Sequence, residues 1–114
     1  MNLQEILDAI PLKALTEPKD YSTIQVECGY ISDMLSCVVA GAKSHSLWVT
    51  LLAHNNIVAV ASLVEVPAII ITENAQPDEA TITKANDQGI ALFSTPSPSF
   101  EIVGRLWELG LRET

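Results

Sequence analysis

A unit repeated three times constrains this chain more than any other feature: an apolar run, a polar turn rich in capping residues, then a helix-length segment. The runs occupy residues 47–52, 68–72 and 91–95. None shows the in-out alternation of a strand with one wet face, so each reads as a strand covered on both sides, as parallel strands of α/β proteins do. The segments 56–65, 78–88 and 98–109 are the expected helices. Residues 57–64 are β-branched enough to pass for a strand, but parallel neighbours need a crossover between them, which keeps that segment helical. The expectation is an α/β three-layer sandwich with a mostly parallel central sheet.

Ahead of the repeat, Leu3, Ile6, Leu7 and Ile10 recur at helical spacing behind Asn2 and Glu5, a capping-box pattern, and Pro11 stops that helix. From residue 23 to 30, Ile24, Val26, Cys28 and Tyr30 alternate with Thr23, Gln25, Glu27 and Gly29, the signature of a half-covered strand. Gly29 marks a bulge or a close backbone approach. Ser32-Asp33 supplies a cap for a helix through Met34, Leu35, Val38, Val39 and Ala42. In the last helix Ser97 is the expected cap, Pro98 the first helical position and Gly110 the left-handed terminator.

The 114 residues, 48% of them hydrophobic, are enough for one domain, residues 1–114, with a core that needs no disulfide or metal staple. Six basic against fourteen acidic side chains give a net charge of -8, which argues against nucleic acid or an anionic membrane as partner. Cys28 and Cys37 form no Cys-x-x-Cys pair and have no clustered histidines, so no metal site is expected and both read as buried free thiols. The N-terminus has no basic and apolar leader, which with reduced cysteines points to the cytoplasm. Residues 44–64 carry no formal charge, yet His54-Asn55-Asn56 would sit at the bilayer centre, so the stretch reads as strand, turn and helix.

Catalytic and cofactor motifs are absent. Gly41-Ala42-Lys43-Ser44 lacks the leading glycine of a phosphate loop, and the five glycines are scattered singly, which rules out a dinucleotide fingerprint. Ser32, His54 and Asp33 make a hydrolytic trio only by composition, without a nucleophile elbow. No enzyme activity and no cofactor are expected. In open parallel sheets, ligands bind beyond the carboxyl ends of the strands, where helix N-termini present free N–H groups. Those ends carry Ser32, Asp33, Thr50, His54, Asn55, Asn56, Thr72 and Thr95, which are the candidate ligand contacts. The competing reading makes the Ser, Thr and Asn residues simple helix caps. The helix at 56–65 is apolar nearly all round, so Ile57, Val60, Ala61 and Val64 are expected to meet a partner, most simply a second copy.

The succession Gly29-Tyr30-Ile31-Ser32-Asp33-Met34-Leu35-Ser36, Leu47-Trp48-Val49-Thr50 and His54-Asn55-Asn56-Ile57-Val58-Ala59-Val60-Ala61 resembles stand-alone members of the DRTGG domain family. Ala68-Ile69-Ile70-Ile71-Thr72, Pro77-Asp78-Glu79 and Phe100-Glu101-Ile102-Val103-Gly104-Arg105-Leu106 extend that resemblance over almost the whole chain. The string that names the family is absent, Glu27-Cys28-Gly29-Tyr30 being a partial echo, so no ligand role is carried over from it. The resemblance implies a domain similar to the N-terminal domain of HPr kinase/phosphorylase. Related domains accompany phosphotransacetylases, and pyrophosphatases with CBS modules, as regulatory or oligomerising accessories. It further implies a bacterial, cytoplasmic, non-catalytic homodimer that binds a small metabolite or nucleotide. The alternative is an interaction or oligomerisation subunit of a hydrogenase or serine-kinase system, with a protein partner and no small-molecule site.

Overall fold

The computed structural model describes residues 1–113. Five strands form one sheet in the order β1-β5-β4-β3-β2, with β1 at Lys13–Ala14, β2 at Cys28–Ile31, β3 at Ser46–Thr50, β4 at Ala68–Ile71 and β5 at Ala91–Ser94. Strands β2 to β5 are parallel, and β1 adds an antiparallel edge to β5. That two-residue edge has no counterpart in the sequence reading, because it is too short to show a period. The helices are α1 (Leu3–Ala9), α2 (Leu35–Gly41), α3 (Asn56–Leu63), α4 (Glu79–Gln88) and α5 (Ser99–Leu109).

Because the parallel strands advance across the sheet in chain order, right-handed crossovers all return over the same face. Helices α2, α3 and α4 therefore share one face and α1 and α5 cover the other, the three-layer arrangement read from the sequence. Register sorts the side chains into rows. Trp48, Ile69 and Leu92 lie side by side and pack with Val38, Ile57, Val58, Ala61 and Ala85 of α2 to α4. Val49, Ile70 and Phe93 form the next row and pack with Leu3, Ile6, Ile102 and Leu106 of α1 and α5. All of β3, β4 and β5 is buried, as unbroken apolar runs require.

Most helix limits follow the expected chemistry. The Asn2 side chain accepts from the Glu5 amide at 2.9 Å, Asp78 caps α4, and Gly89 and Gly110 close α4 and α5 with φ of 71° and 106°. Segment 57–63 is helical despite its β-branched residues, with Val64 as its C-cap, and Glu65 turns the chain out of it at φ 60°. Helix α5 begins one residue later than expected, with Pro98 rather than Ser97 as the cap residue. The expected strand from 23 shortens to Cys28–Ile31. Asp20 caps a tight turn at Tyr21–Thr23, and the alternation at 24–26 reflects short-range pairing with the N-terminus: the Leu3 amide donates to Ile24 and the Val26 amide to Met1. Gly29 is not a bulge. It is the close approach, since its amide donates to the Arg112 carbonyl at 2.7 Å and an added Cβ would touch Leu111.

Two further readings change. Cys28 is buried against the Ser46 hydroxyl, but Cys37 is exposed, because α2 buries only Val38. The apolar circumference of α3 is covered largely within the chain: Ile57 and Ala61 are wholly buried, and Val60 and Val64 pack half-buried against the same core. Among the described residues no helix is long and apolar enough to cross a membrane, and the charge-free stretch divides into β3, a turn and α3.

Trp48 is fully buried, with its indole N–H donating to the Ser32 carbonyl at 3.0 Å. Trp48→Ala is expected to cost about 3–5 kcal/mol in urea unfolding, a large part of the roughly 5–15 kcal/mol a domain holds. Leu63→Ala, at a position 69% exposed, should stay within about 0.5 kcal/mol.

Candidate functional site

The carboxyl ends of β2 to β5 and the turns after them form a polar rim. Asp33, expected as a cap for α2, goes elsewhere. Its carboxylate accepts from the Thr50 hydroxyl at 2.8 Å and from the Leu51 amide at 2.9 Å, stapling the end of β3 to the turn after β2. Helix α2 is left with Met34 as a cap residue that makes no side-chain bond, and the Ser32 hydroxyl turns back onto the Met34 amide at 3.1 Å. Thr50, fully buried, also accepts from the Leu52 amide through its hydroxyl.

The chain of contacts continues across the sheet. The Thr50 carbonyl accepts from the Thr72 amide at 2.9 Å, and the buried Thr72 hydroxyl shares a short hydrogen bond with Ser99 in the first turn of α5. Glu73, held at φ 60°, reaches the same helix end, where its carboxylate accepts from the Ser99 amide at 2.7 Å. A carboxylate on exposed helix amides is favourable there, since those amides carry the positive end of the helix dipole. Thr95 accepts from the Ser97 amide through its hydroxyl and from the Asn74 amide through its carbonyl.

His54, Asn55 and Asn56 form a separate group at the N-terminus of α3. His54 is exposed, and its Nδ1 accepts from the Asn56 amide at 3.3 Å. Asn55 is the cap residue of α3 but sits in helical backbone and makes no capping bond with its side chain. Asp78, the cap of α4, lies close enough to feel the His54 charge. The Thr81 hydroxyl and amide, donating at 2.7 and 2.9 Å, are the main cause that holds its carboxyl below the usual range, and His54 adds a smaller pull.

The structure thus links Asp33, Thr50 and Thr72 into one hydrogen-bonded series, with Ser32 bonded separately to the Met34 backbone and Thr95 to Ser97 and Asn74, and sets His54, Asn55 and Asn56 at the start of α3. Ser32, Asp33 and His54 do not form a relay: the serine and the aspartate are bonded to backbone and to Thr50, and the histidine Nδ1 to Asn56. Ser99, Glu73 and Asp78 hold the rim together as much as the expected residues do.

A cleft of about 140 Å³ lies elsewhere, on the α5 face at the β2 edge. Its walls are Gly29, Ile31 and Val49 of the sheet, Val103, Leu106 and Trp107 of α5, and the segment after α5. Sequence reading missed it, although α5 carries a signal. Ile102 and Leu106 form the stripe that meets the core, and Phe100, Val103 and Trp107 form a second stripe beside it. A surface helix needs only one.

No protein-family model matches the sequence, and no curated protein matches it. Among solved structures, the chain superposes on the crystal structure of the CBS and DRTGG domains of the regulatory region of Clostridium perfringens pyrophosphatase, complexed with its activator, diadenosine tetraphosphate. The TM-score is 0.73 at 18% identity, over 92% of this chain and 45% of that one, so this chain spans less than half the length of that structure. The fold is shared, and the expected likeness to a DRTGG-type domain is met at that level.

Asp33→Ala leaves the buried Thr50 hydroxyl and the Leu51 amide without their acceptor, with an expected loss of about 1–3 kcal/mol in chemical unfolding. Asp33→Asn, which keeps one acceptor oxygen, should recover most of it. For Asp78 the folded carboxyl titrates below its unfolded value of about 3.9, so its stabilising effect is present above that pH and lost as pH falls through the lower folded value. Asp78→Ala should therefore lower the thermal midpoint at pH 7, and the gap to the parent chain should narrow in melts below about pH 3.9.

Proposed function

We propose that residues 1–114 act as one DRTGG-like regulatory domain, cytoplasmic and non-catalytic, which works as a homodimer and binds a small metabolite or nucleotide at the strand carboxyl ends. The observation that carries this reading is the contrast within the rim. Ser32, Asp33, Thr50, Thr72 and Thr95 bond to one another or to nearby backbone. The N-terminus of α3 instead presents the Asn55 side chain without a capping bond beside exposed Asn56 and exposed His54, whose Nδ1 accepts from the Asn56 amide. In this reading the first group is the rigid floor and His54, Asn55 and Asn56 are the contacts. A fold shared with a regulatory region that binds a nucleotide activator supports the same ligand class.

A second reading, an interaction subunit of a larger enzyme without a small-molecule site, draws on the exposed apolar stripe of α5. Phe100 is 92% and Trp107 48% exposed there.

The two readings separate in a thermal-shift screen of the chain against adenine and guanine nucleotides and phosphorylated metabolites. A ligand at a hundred times its dissociation constant stabilises by about 2.7 kcal/mol, a rise of several degrees in a domain this small. The expected result is at least one such rise, abolished by His54→Ala and Asn56→Ala; the unliganded Asn56→Ala melt stays unchanged, while His54→Ala, which loses the acceptor of the Asn56 amide, melts slightly lower. No rise across the panel, or one that survives both substitutions, overturns the assignment of this site.

A further inference from the structure

Two helices do not cover a five-stranded face. A helix with its side chains is about 10 Å across and strands lie about 4.8 Å apart, so α1 and α5 together shield about four strands. The strand left over on that face is β2, and its uncovered row gives the cleft between Ile31, Val49, Val103 and Trp107. Ile31 is 47% exposed as a result. The cation of Arg112 lies 4.3 Å from the centre of the Trp107 ring and steadies that wall.

Beside this hole stands a knob. Phe100 lies one turn before Gly104 and two turns before Trp107 on the same side of α5, and its ring is almost wholly in solvent. A dry apolar cavity of about 150 Å³ accommodates one benzene ring, so the cleft of about 140 Å³ is sized for one phenyl group. Between knob and hole, Gly104 is exposed, and an added Cβ there would meet no atom of its own chain within 4 Å. Helix backbones can approach closely at such a position.

From this we infer that the exposed face of α5 docks a second copy of this chain, with α5 antiparallel to its mate about a two-fold axis near Gly104 and Phe100 of each protomer filling the cleft of the other. The inference rests on the homodimer in the proposed function and gives it a location, away from α3. A two-fold interface must be complementary to itself, and a face holding both a phenyl knob and a phenyl-sized hole meets that condition. The area is sufficient. At about 200 Å² for a free aromatic side chain, Phe100 and Trp107 offer about 300 Å² per protomer, and with Ile31, Val103 and the stems of Glu101 and Glu108 a pair buries about 1,000 Å². That lies at the lower limit for specific association and implies a dimer that dissociates on dilution. Each protomer carries a net charge of -8, so added salt should tighten it by screening.

Sedimentation velocity on the full chain, from 1 to several hundred micromolar and at two salt concentrations, tests the inference. The expected result is a concentration-dependent shift from one chain mass to two, stronger at high salt, with at least tenfold weakening in Phe100→Asp and in Gly104→Glu. Both positions face solvent in the single chain, so thermal melts should not fall, and Gly104→Glu should melt slightly higher because glycine is a poor helix former. A dimer that persists in both variants overturns this face and leaves the dimeric reading standing. A parent chain that stays at one chain mass throughout overturns both, while a dimer weakened by salt overturns the apolar character assigned to the contact.

Discussion

Everything in this molecule hangs on four parallel strands laid down in chain order, three of them buried on both sides. Burial on both sides removes the alternation from the strand sequences and leaves β3, β4 and β5 as continuous apolar runs. Chain order then dictates the layers, since each right-handed crossover must return over the same face. Three helices crowd onto one side and the two terminal helices share the other. The thinly covered side leaves Ile31, Phe100 and Trp107 in water, while the crowded side buries Ile57, Val58 and Ala61 of α3 but still exposes Leu63.

The same constraint places all the polar turns of the parallel strands at one end. Thr50 and Thr72 are buried at the last positions their strands can reach, so their hydroxyls need partners inside the protein. Asp33 and Ser99 supply them. Once Asp33 serves β3 it no longer serves α2, and once Glu73 occupies the start of α5, Ser97 has no cap to make. Helix capping and strand-end closure compete for the same few residues, and burial decides the contest because an unmet buried hydroxyl costs more than a frayed first turn.

That competition marks where the sequence was legible. Periodicity and turn chemistry gave the three repeat units, the cap Asn2 and the terminator Gly110, which depend on neighbours within about four residues, while the helical state of α3 followed from the crossover that parallel strands need. The alternation at 24–26 was real, but its partner was the N-terminus rather than β3, and a period carries no information about which segment pairs with it. Strand β1 was too short to announce itself, and Cys37 faces water because of where α2 lies over the sheet edge, which no local pattern encodes. The candidate contacts were named from their place at strand ends. Only the structure divides them into residues that close the fold and residues with side chains to spare.

Charge narrows what the spare side chains can do. A chain with six basic residues and fourteen acidic ones must hold an anion with little cationic help. Even that help is partly committed, as Lys19 donates to the Gly89 carbonyl, Arg105 to the Ala9 carbonyl, and Arg112 lies over Trp107. At the rim, Glu73 already sits on the first amides of α5 and Asp78 on those of α4. An incoming anion would have to displace a tethered carboxylate at either helix, a competitor held at high effective concentration. The start of α3 carries no carboxylate: its cap residue is a neutral amide, and the acceptor on the Asn56 amide is the His54 ring nitrogen. Asn55, Asn56 and His54 are groups that offer hydrogen-bonding edges rather than charge.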